Sequence, residues 1–393
     1  MQQSGMTNPI RILTGDCRET LNTIPDGTVQ CCVTSPPYWG LRDYGVAGQL
    51  GQEPTPDAYV ETMVEVFREV RRVLHDSGTV WLNVGDSYSG AGYSNHKNTG
   101  GAQREDGGKQ KHLLSSASGL KSKDLCLIPW RLAIALQADG WWLRSVICWA
   151  KKSCMPESVT DRPTNSWEPI FLLAKSAKYF YDAEAVKERA VTDHMSGNDM
   201  TDTRITYGEQ NGGNSGLRDL RKKYKADGLP TSRNQRNVWS LGPEPYAEAH
   251  FATFPTEIPR RAILAGTSAR GCCPKCYAPW VRQTESTKTF ESGSGKAGNR
   301  PTGKQDLSAP ETNSTPDIRM GPCVSTRTVG WEPGCKCGLE PIPCTVLDPF
   351  GGSGTTGQVA LELARHAILC ELNSEYAKLI ERRTDVTPGF ALH

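Results

Sequence analysis

The segment at 34–39, Thr-Ser-Pro-Pro-Tyr-Trp, could perform chemistry on an amino group. It directly follows an apolar run at 29–33 that is typical of a buried strand. Proline fixes its own φ angle and has no N–H donor, so Pro36 and Pro37 make the loop rigid and leave carbonyl oxygens available. A hydroxyl and a carbonyl oxygen can together accept both hydrogens of one NH₂ group, while an aromatic ring stacks on a planar ring. The alternative interpretation is a proline-rich turn with a packed aromatic side chain.

A second candidate segment is the Gly-rich turn at 348–357, Asp-Pro-Phe-Gly-Gly-Ser-Gly-Thr-Thr-Gly. It follows a predicted strand at 345–347 and opens a predicted helix, so its glycines let the backbone approach a ligand and the helix start offers free N–H groups. Glu371 ends the next predicted strand, where an acid can accept hydrogen bonds from both hydroxyls of a ribose. Thr355 stands where a phosphate-binding P-loop has lysine, which favours a nucleoside without phosphates. The alternative is a purely structural turn.

Cysteines form two close pairs, a CxxC and a tighter CxC. The last cysteine of the first pair and the first cysteine of the second pair are 59 positions apart. Four thiolates suit a tetrahedral structural zinc site, with the intervening residues as an insertion in a zinc ribbon. The alternative is reduced cysteines without metal. Cys272 stands beside the first pair, and Cys323 and Cys344 are weaker candidates. The predicted zinc ligands are Cys273, Cys276, Cys335 and Cys337.

The elements that must position these segments alternate between strands and helices, which predicts an α/β fold with a largely parallel sheet. Apolar residues at helical spacing predict an amphipathic helix at 59–74. Two well-patterned regions flank a long polar middle, and no internal repeat is present. The further predicted strands lie at 10–13, 79–84, 142–149, 169–174 and 367–370, and the further predicted helices at 127–138, 257–264, 357–365 and 374–383.

Bulk composition is that of an ordinary globular protein, with 37% hydrophobic and 22% charged residues among 393. No apolar run approaches the roughly 20 residues that span a membrane, and the polar start lacks the apolar core of a signal peptide. We therefore expect a cytoplasmic protein, in which fourteen cysteines do not form a disulfide framework. The formal net charge of +2 means that any surface for a polyanion must come from local clustering.

Taken together, the two loops resemble those of the amino-directed DNA methyltransferases, in the permuted group whose catalytic loop precedes the cofactor loop. The segment at 35–38 is similar to the catalytic motif of that family, and 348–356 is similar to its cofactor motif. Shorter resemblances involve 15–17 beside the cofactor adenine, 250–255 near the methionine end, Glu371 at the ribose, and 149–151 with Glu168 before the target-recognition region.

The resemblance implies a doubly wound, Rossmann-like methyltransferase sheet and the cofactor S-adenosylmethionine. Catalytic roles would fall to Ser35, Pro36, Pro37 and Tyr38, with Tyr38 stacking on a base flipped out of the duplex. Ser35 favours cytosine N4 as the target, and adenine N6 is the alternative. The residues predicted to bind the cofactor are Asp16, Cys17, Thr34, His250, Thr253, Phe254, Asp348, Phe350, Gly352, Ser353, Gly354, Thr355, Thr356 and Glu371.

The expected partner is double-stranded DNA, with a cognate restriction endonuclease as a further candidate and no membrane. The stretch 218–236 contains seven basic and two acidic residues, and it lies where the family places its target-recognition region. The alternative is a solvated charge run. The residues predicted to contact DNA are Arg221, Lys222, Lys223, Lys225, Arg233 and Arg236.

These segments predict a division of the chain into five parts. They are a catalytic half of the methyltransferase domain at 8–185, a target-recognition insertion at 186–240, a cofactor-pocket segment at 241–268, a zinc-ribbon insertion with a flexible loop at 269–340, and a cofactor-binding half at 341–385. Two other functions compete with this one: a nucleic-acid-binding module with a decayed site, and a methyltransferase acting on RNA or on a protein side chain.

Overall fold

The computed structural model describes residues 8–41, 43–89, 119–154, 156–189, 229–244, 254–291 and 321–385. The chain forms two compact units. The larger comprises Met1–Val186, Arg236–Val281 and Trp331–His393, and the smaller comprises Lys187–Gln235 and Arg282–Gly330. Among the described residues, no helix is both long and apolar enough to cross a bilayer.

The strands are β1 (Ile10–Thr14), β2 (Val29–Thr34), β3 (Leu74–Asn83), β4 (Trp142–Lys151), β5 (Trp167–Ala174), β6 (Glu188–Arg189), β7 (Leu229–Pro230), β8 (Ser232–Arg233), β9 (Val238–Leu241), β10 (Val281–Glu291), β11 (Gly321–Glu332), β12 (Thr345–Asp348) and β13 (His366–Glu371). The helices are α1 (Cys17–Thr20), α2 (Pro56–Val73), α3 (Ile128–Ala138), α4 (Glu257–Gly266), α5 (Thr355–Glu362) and α6 (Ser374–Thr384), with 3₁₀ turns at Leu21–Thr23 and Glu184–Val186.

The larger unit is built on an eight-stranded sheet in the order β1-β13-β12-β2-β3-β5-β4-β9. The first five strands in this order are all parallel, β5 is antiparallel to both of its neighbours, and β4 and β9 are parallel. The prediction of a mostly parallel α/β sheet is therefore confirmed. The late strands β12 and β13 lie between the early strands β1 and β2, so both ends of the chain contribute to one edge of the sheet.

Both faces of this sheet are covered, because neighbouring residues of each strand point in opposite directions. Cys32 and Leu82 belong to the core beneath α2 and α3. Cys31 and Trp81, one position earlier, belong to the core beneath α4 and α5. Burial on both faces explains why the central strands read as continuous apolar runs rather than as alternating patterns.

Helix α2 begins where local chemistry predicts a start. The Thr55 side chain accepts a hydrogen bond from the Ala58 N–H, and Pro56 occupies the first turn. The strand that follows begins at Leu74, earlier than the predicted 79, because Leu74 pairs with Val29 before a shift in the register of β2 and β3. The helix therefore passes directly into the strand without a separate loop.

The smaller unit contains two sheets among its described residues. Strand β11 lies between β10 and β7, and it is parallel to β7. Arg327 and Glu285 form an ion pair between β11 and β10 at 3.0 Å. Strands β6 and β8 form a separate antiparallel pair.

Candidate active site

The carboxyl ends of the parallel strands, which we call the carboxyl edge of the sheet, border a cavity of about 660 Å³. Active sites of open parallel sheets occupy this edge, because the loops that leave the strands meet there. The structure brings most of the predicted catalytic and cofactor residues to this one cavity. The predicted residues on its wall are Asp16, Cys17, Ser35, Pro36, Pro37, Tyr38, Phe254, Asp348, Phe350, Gly352, Ser353, Thr355 and Glu371.

Asp348 is a buried carboxylate that joins the two loops. Its Oδ1 accepts hydrogen bonds from Thr34 Oγ1 at 2.6 Å and from the Phe350 N–H at 3.0 Å. Its Oδ2 accepts from Thr356 Oγ1 at 2.7 Å. Burial raises the pKa of Asp348 to about 6, although these donors act in the opposite direction. Asp348 therefore fixes the end of β2 to the Gly-rich turn across 314 positions of sequence.

The structure places two of the predicted cofactor residues, Thr34 and Thr356, behind the cavity wall. Both are fully packed residues outside the cavity wall, and their hydroxyls donate to Asp348. Gly354 is also absent from the wall, because it lies against Ile380 of α6 with φ +82°. A Cβ there would come within 3.2 Å of Ile380 and would require a left-handed backbone, so this position of the turn favours glycine.

Glu371, at the end of β13, is the second acid of the cavity. Its Oε2 accepts from the Gly352 N–H at 2.7 Å, and its Oε1 accepts from the Asn373 N–H at 2.9 Å. Burial raises the pKa of Glu371 despite these two donors. A carboxylate has about four acceptor positions, so two hydroxyls of a ligand can still bind Glu371. Gly352 has φ +52°, and a Cβ there would make only an ordinary contact, 3.8 Å from the Phe350 carbonyl oxygen.

The Ser-Pro-Pro-Tyr segment is held from two sides. Tyr59 of α2 donates its hydroxyl to the Pro37 carbonyl at 2.9 Å, and Trp39 is buried with its indole N–H bound to the Glu53 carbonyl at 2.8 Å. Among the described residues, no hydrogen bond engages the Pro36 carbonyl. Ser35 and Pro36 both line the cavity.

Tyr38 is anchored by groups that the sequence prediction omitted from the site. Its hydroxyl lies 2.9 Å from Glu168 Oε2 and 3.1 Å from Asn83 Oδ1, and Ser35 Oγ donates to it at 3.4 Å. Glu168 also forms an ion pair with Lys151. Asn83, Lys151 and Glu168 all lie on the cavity wall.

One sequence signal could have identified this cluster. Lys151 and Glu168 stand at the ends of neighbouring predicted strands, in the region that resembles the family pattern. What brings them together is the antiparallel pairing of β4 and β5, in which Trp149 lies opposite Glu168. The Lys151 ammonium then lies 4.9 Å from the centre of the Trp149 ring. A parallel pairing would have placed these two strand ends far apart.

The loop after Trp39 forms a further part of the wall that the sequence did not indicate. The Gly40 N–H donates to the Gly51 carbonyl at 2.8 Å and closes the loop at its base. Inside it, Gln49 Oε1 accepts from the Tyr44 N–H at 2.7 Å. Tyr44, Val46 and Gln49 line the cavity, which is therefore partly enclosed by residues without a recognisable motif.

The four predicted zinc ligands converge in the larger unit, near the amino ends of the parallel strands. We call this side of the sheet its amino edge. The sulfur atoms of Cys273, Cys276, Cys335 and Cys337 all lie within 4.8 Å of one another. Cys276 Sγ and Cys337 Sγ are 3.7 Å apart. Four sulfurs around a tetrahedral zinc, each about 2.3 Å from the metal, would be about 3.8 Å apart, so the cluster fits this ion.

Cys272 and Cys344 do not join this cluster. Cys272 lies beside the Pro343 carbonyl at 3.9 Å, and Cys344 lies beside the Ser268 carbonyl at 3.7 Å. Both are buried. The side chain of Cys323 lies outside the described residues.

Several predicted contacts also fall outside the described residues. They are Arg221, Lys222, Lys223, Lys225, His250 and Thr253. Two of the residues predicted to contact DNA, Arg233 and Arg236, are described. Arg233 forms an ion pair with Glu188 at 3.2 Å. The Arg236 carbonyl accepts a hydrogen bond from the Trp239 indole at 3.0 Å.

The sequence matches the family model N6_N4_Mtase, described as DNA methylase, at residues 29–273 and 344–382. The Type II methyltransferase M.SmaI of Serratia marcescens is 36% identical over 377 residues, which is 95% of this chain and 90% of that protein. The Type II methyltransferase M.Cfr9I of Citrobacter freundii is 43% identical over 266 residues, which is 66% of this chain and 73% of that protein.

A similar fold occurs in a solved structure titled PvuII DNA methyltransferase (cytosine-N4-specific). The TM-score is 0.51 at 14% sequence identity, over 97% of this chain and 89% of that chain. At this level of identity the likeness shows the fold alone. The family match leaves out 274–343, the interval that holds three of the four clustered cysteines.

Proposed function

This chain belongs to the N6_N4_Mtase family of DNA methylases, and from that premise we propose that it methylates the exocyclic amino group of a base flipped out of DNA, with cytosine N4 favoured. As a member of the family it is an S-adenosylmethionine-dependent DNA methyltransferase. The proposal adds the target base, the residue roles and the permuted order of the two motifs.

The observation that carries this proposal is the pairing of β2 with β12. It places Val346 beside Cys31 and Leu347 beside Cys32, so the Ser-Pro-Pro-Tyr segment and the Gly-rich turn leave adjacent strands at one edge. The Thr34–Asp348 hydrogen bond then holds the two loops together. A catalytic loop and a nucleoside-binding loop consequently share a cavity of about 660 Å³.

The cofactor side of the cavity is the Gly-rich turn with Glu371. We assign Glu371 to the two ribose hydroxyls, since its carboxylate faces the cavity with acceptor positions left after binding Gly352 and Asn373. Asp16, Cys17 and Phe254 line the same space and complete the binding surface. When bound there, S-adenosylmethionine supplies an electrophilic methyl group.

The catalytic side of the cavity is the Ser-Pro-Pro-Tyr segment. Ser35 Oγ and the Pro36 carbonyl would accept the two hydrogens of the target amino group, which directs the nitrogen lone pair toward the methyl donor. Tyr38 would stack on the flipped base, and its ring is fixed because its hydroxyl is bound to Glu168. The protein contributes mainly by orienting the two reactants, and no covalent enzyme intermediate is required.

Ser35 at the first position of the loop favours cytosine over adenine, and adenine N6 remains the competing target. The test is methylation of mixed-sequence duplex DNA followed by mass spectrometry of the nucleosides. We expect 4-methylcytosine, whereas 6-methyladenine would reverse the assignment of the base. Methylation of RNA or protein without methylation of duplex DNA would overturn the proposal.

The variants Ser35→Ala and Tyr38→Ala test the catalytic roles in the same assay. Both should fold and bind cofactor yet lose transfer, because each removes a group that orients the base. Ser166→Ala is a matched control, since Ser166 is exposed on the segment before β5. Full activity of either active-site variant would contradict its assigned role.

For DNA contact, we propose that the segment at 186–240 is the target-recognition region and that its basic residues bind phosphates. Arg233 and Arg236 are the described members of this set, and the Arg233–Glu188 ion pair fixes the guanidinium at the start of the β6–β8 pair. Arg233→Ala should weaken DNA binding. It should also reduce the slope of the logarithm of the binding constant against the logarithm of the salt concentration by about 1. A cognate restriction endonuclease is a further proposed partner, since the relatives are named Type II methyltransferases.

At the amino edge of the sheet, we propose a structural zinc ion held by Cys273, Cys276, Cys335 and Cys337. The spacing of the four sulfur atoms matches a tetrahedral zinc site. The four cysteines lie within 269–340, which we propose is a zinc-ribbon insertion. The test is metal analysis of the purified protein and of a Cys273→Ser, Cys276→Ser double variant. Exposed Cys154, changed to serine, is the control. Equal zinc content in the double variant and the wild type would contradict this proposal.

A further inference from the structure

A chain of hydrogen bonds runs along the cavity wall from Ser35 to Glu168. Ser35 Oγ donates to Tyr38 Oη at 3.4 Å, and Tyr38 Oη donates to Glu168 Oε2 at 2.9 Å. The other carboxylate oxygen of Glu168 binds the ammonium of Lys151. The chain thus begins at the hydroxyl assigned to the target amino group and ends at a carboxylate with a balancing cation.

Methylation of an amino group leaves a proton to be removed. When the nitrogen forms its bond to the methyl carbon and the carbon–sulfur bond breaks, one positive charge arrives on the nitrogen. Neutral product forms only when one N–H bond breaks and its electron pair stays on nitrogen. A site that excludes water therefore needs an acceptor for this proton.

We propose that Glu168 is the terminal acceptor of this proton, which reaches it through Ser35 and Tyr38; this inference rests on the proposed function. The amino proton passes to Ser35 Oγ, the Ser35 proton passes to Tyr38 Oη, and the Tyr38 proton passes to Glu168 Oε2. Ser35 and Tyr38 end as they began, and Glu168 ends as a neutral carboxylic acid. Glu168 acts through the other two residues and touches no substrate atom.

The surroundings of Glu168 suit this role. Lys151 faces it from β4, Tyr38 faces it from the catalytic loop, and Asn83 of β3 donates to Glu168 Oε2 at 3.3 Å. Asn83 also donates to the Pro169 carbonyl at 3.2 Å, which fixes its amide. The Lys151–Glu168 pair has no net charge before proton transfer and one positive charge after it. The pair therefore takes up the charge that arrived with the methyl group.

The far end of the chain can return its proton to water. The side chains of Lys151 and Glu168 are 28% and 18% exposed, whereas Tyr38 is pressed against Gly85. A Cβ at Gly85 would come within 2.4 Å of the Tyr38 ring, so glycine at this position leaves the space that the ring occupies. Burial, together with the Glu168 charge, raises the pKa of Tyr38 well above its ordinary value, so Tyr38 remains a protonated donor.

The test compares Glu168→Gln and Tyr38→Phe with the wild type in single-turnover methyl transfer across pH. Glutamine keeps a hydrogen-bonding side chain but cannot take up the proton, and phenylalanine keeps the stacking ring but breaks the chain. We expect each variant to lose about 100-fold or more in rate at saturating substrates. The pH profile of the rate should differ between Glu168→Gln and the wild type.

Equilibrium binding of duplex DNA and of S-adenosylmethionine separates proton transfer from mere support of the fold. We expect dissociation constants within about threefold of the wild type for both variants. Glu157→Gln also breaks an ion pair, with Arg162, but lies outside the cavity, so it should keep the wild-type rate and pH profile.

The relay would be overturned by a Glu168→Gln variant with the wild-type rate and pH profile. It would equally be overturned if the loss of rate followed a matching loss of DNA binding or of folded protein. A wild-type protein that methylates no DNA would count against the proposed function itself, which distinguishes the two failures.

Discussion

The two edges of the main sheet are assembled in different ways. At the carboxyl edge, one buried carboxylate, Asp348, binds Thr34, Thr356 and the Phe350 N–H. At the amino edge, the Gln30 side chain donates to the Tyr277 carbonyl at 3.4 Å and accepts from the Thr345 N–H at 2.7 Å, beside the cysteine cluster. The same strands, β2 and β12, meet both edges.

The difference lies in what supplies the geometry. Hydrogen bonds between the protein's own groups fix the carboxyl edge, so its loops are placed without help from a ligand. At the amino edge, the four thiols contact one another and the Lys275 N–H, and a metal ion would add a much stronger attraction between them. Changes at the amino edge should therefore act on stability, and changes at the carboxyl edge should act mainly on binding and transfer.

The largest effect should follow removal of metal from the amino edge. Structural zinc contributes about 10 kcal/mol or more to folding in zinc-finger peptides, and in a larger domain we expect a loss of about 5 kcal/mol. A strong chelator should lower the midpoint of thermal unfolding by about 10 °C or more, measured by circular dichroism. Restored zinc should reverse the shift, and an unchanged midpoint would remove the contrast between the edges.

A smaller but still large effect should follow Asp348→Ala at the carboxyl edge. The change leaves the hydroxyls of Thr34 and Thr356 and the Phe350 N–H without their common acceptor in a buried position. We expect a loss of about 3 kcal/mol in the free energy of unfolding, measured with urea. Cofactor affinity should fall as well, because the Gly-rich turn loses its link to β2.

Asp385→Ala, a change of an exposed carboxylate beyond α6, is the control for Asp348→Ala. It should change the free energy of unfolding by less than about 0.5 kcal/mol. If Asp348→Ala were equally silent, the hydrogen bonds at Asp348 would not be what holds the carboxyl edge together.

An intermediate effect, confined to binding, should follow Glu371→Gln. The amide keeps the size of the side chain but loses the charge that we propose binds the ribose hydroxyls. We therefore expect a cost of about 2 kcal/mol, or roughly 30-fold in the dissociation constant of S-adenosylmethionine. Calorimetric titration measures it. Glu375→Gln, an exposed change in the first turn of α6, should bind normally. Unchanged affinity in Glu371→Gln would exclude Glu371 from the cofactor site.

The smallest effect concerns pH. Burial raises the pKa of Asp348 from 3.8 to about 6, so the folded state binds a proton more tightly than the unfolded state. Stability from this group is fully present below pH about 4 and is lost as pH rises through about 6. Between pH 5 and 7.5, wild type should therefore lose about 1 kcal/mol relative to Asp348→Asn, measured by denaturant titration at both values. A constant difference would show that Asp348 does not titrate in this range.

Much of the fold follows from local pattern. Continuous apolar runs mark the central strands because both sheet faces are covered, and the spacing of Val60, Met63 and Val64 marks α2 because that face is buried. The network of Tyr38, Asn83, Glu168 and Lys151 could not be predicted in this way. It depends on the antiparallel pairing of β5 with both β3 and β4, and register between strands has no local signal.

By itself, the sequence determined the chemistry that the protein can offer: a rigid hydroxyl-and-carbonyl loop, a Gly-rich turn followed by an acid, and two cysteine pairs. Residue type and spacing suffice for this, because backbone constraints and functional groups are local properties. The tertiary structure alone decided which groups face the cavity and which support it. Thr34 and Thr356 became partners of Asp348, and Glu168 came to Tyr38, because long-range strand pairing sets which side chains meet.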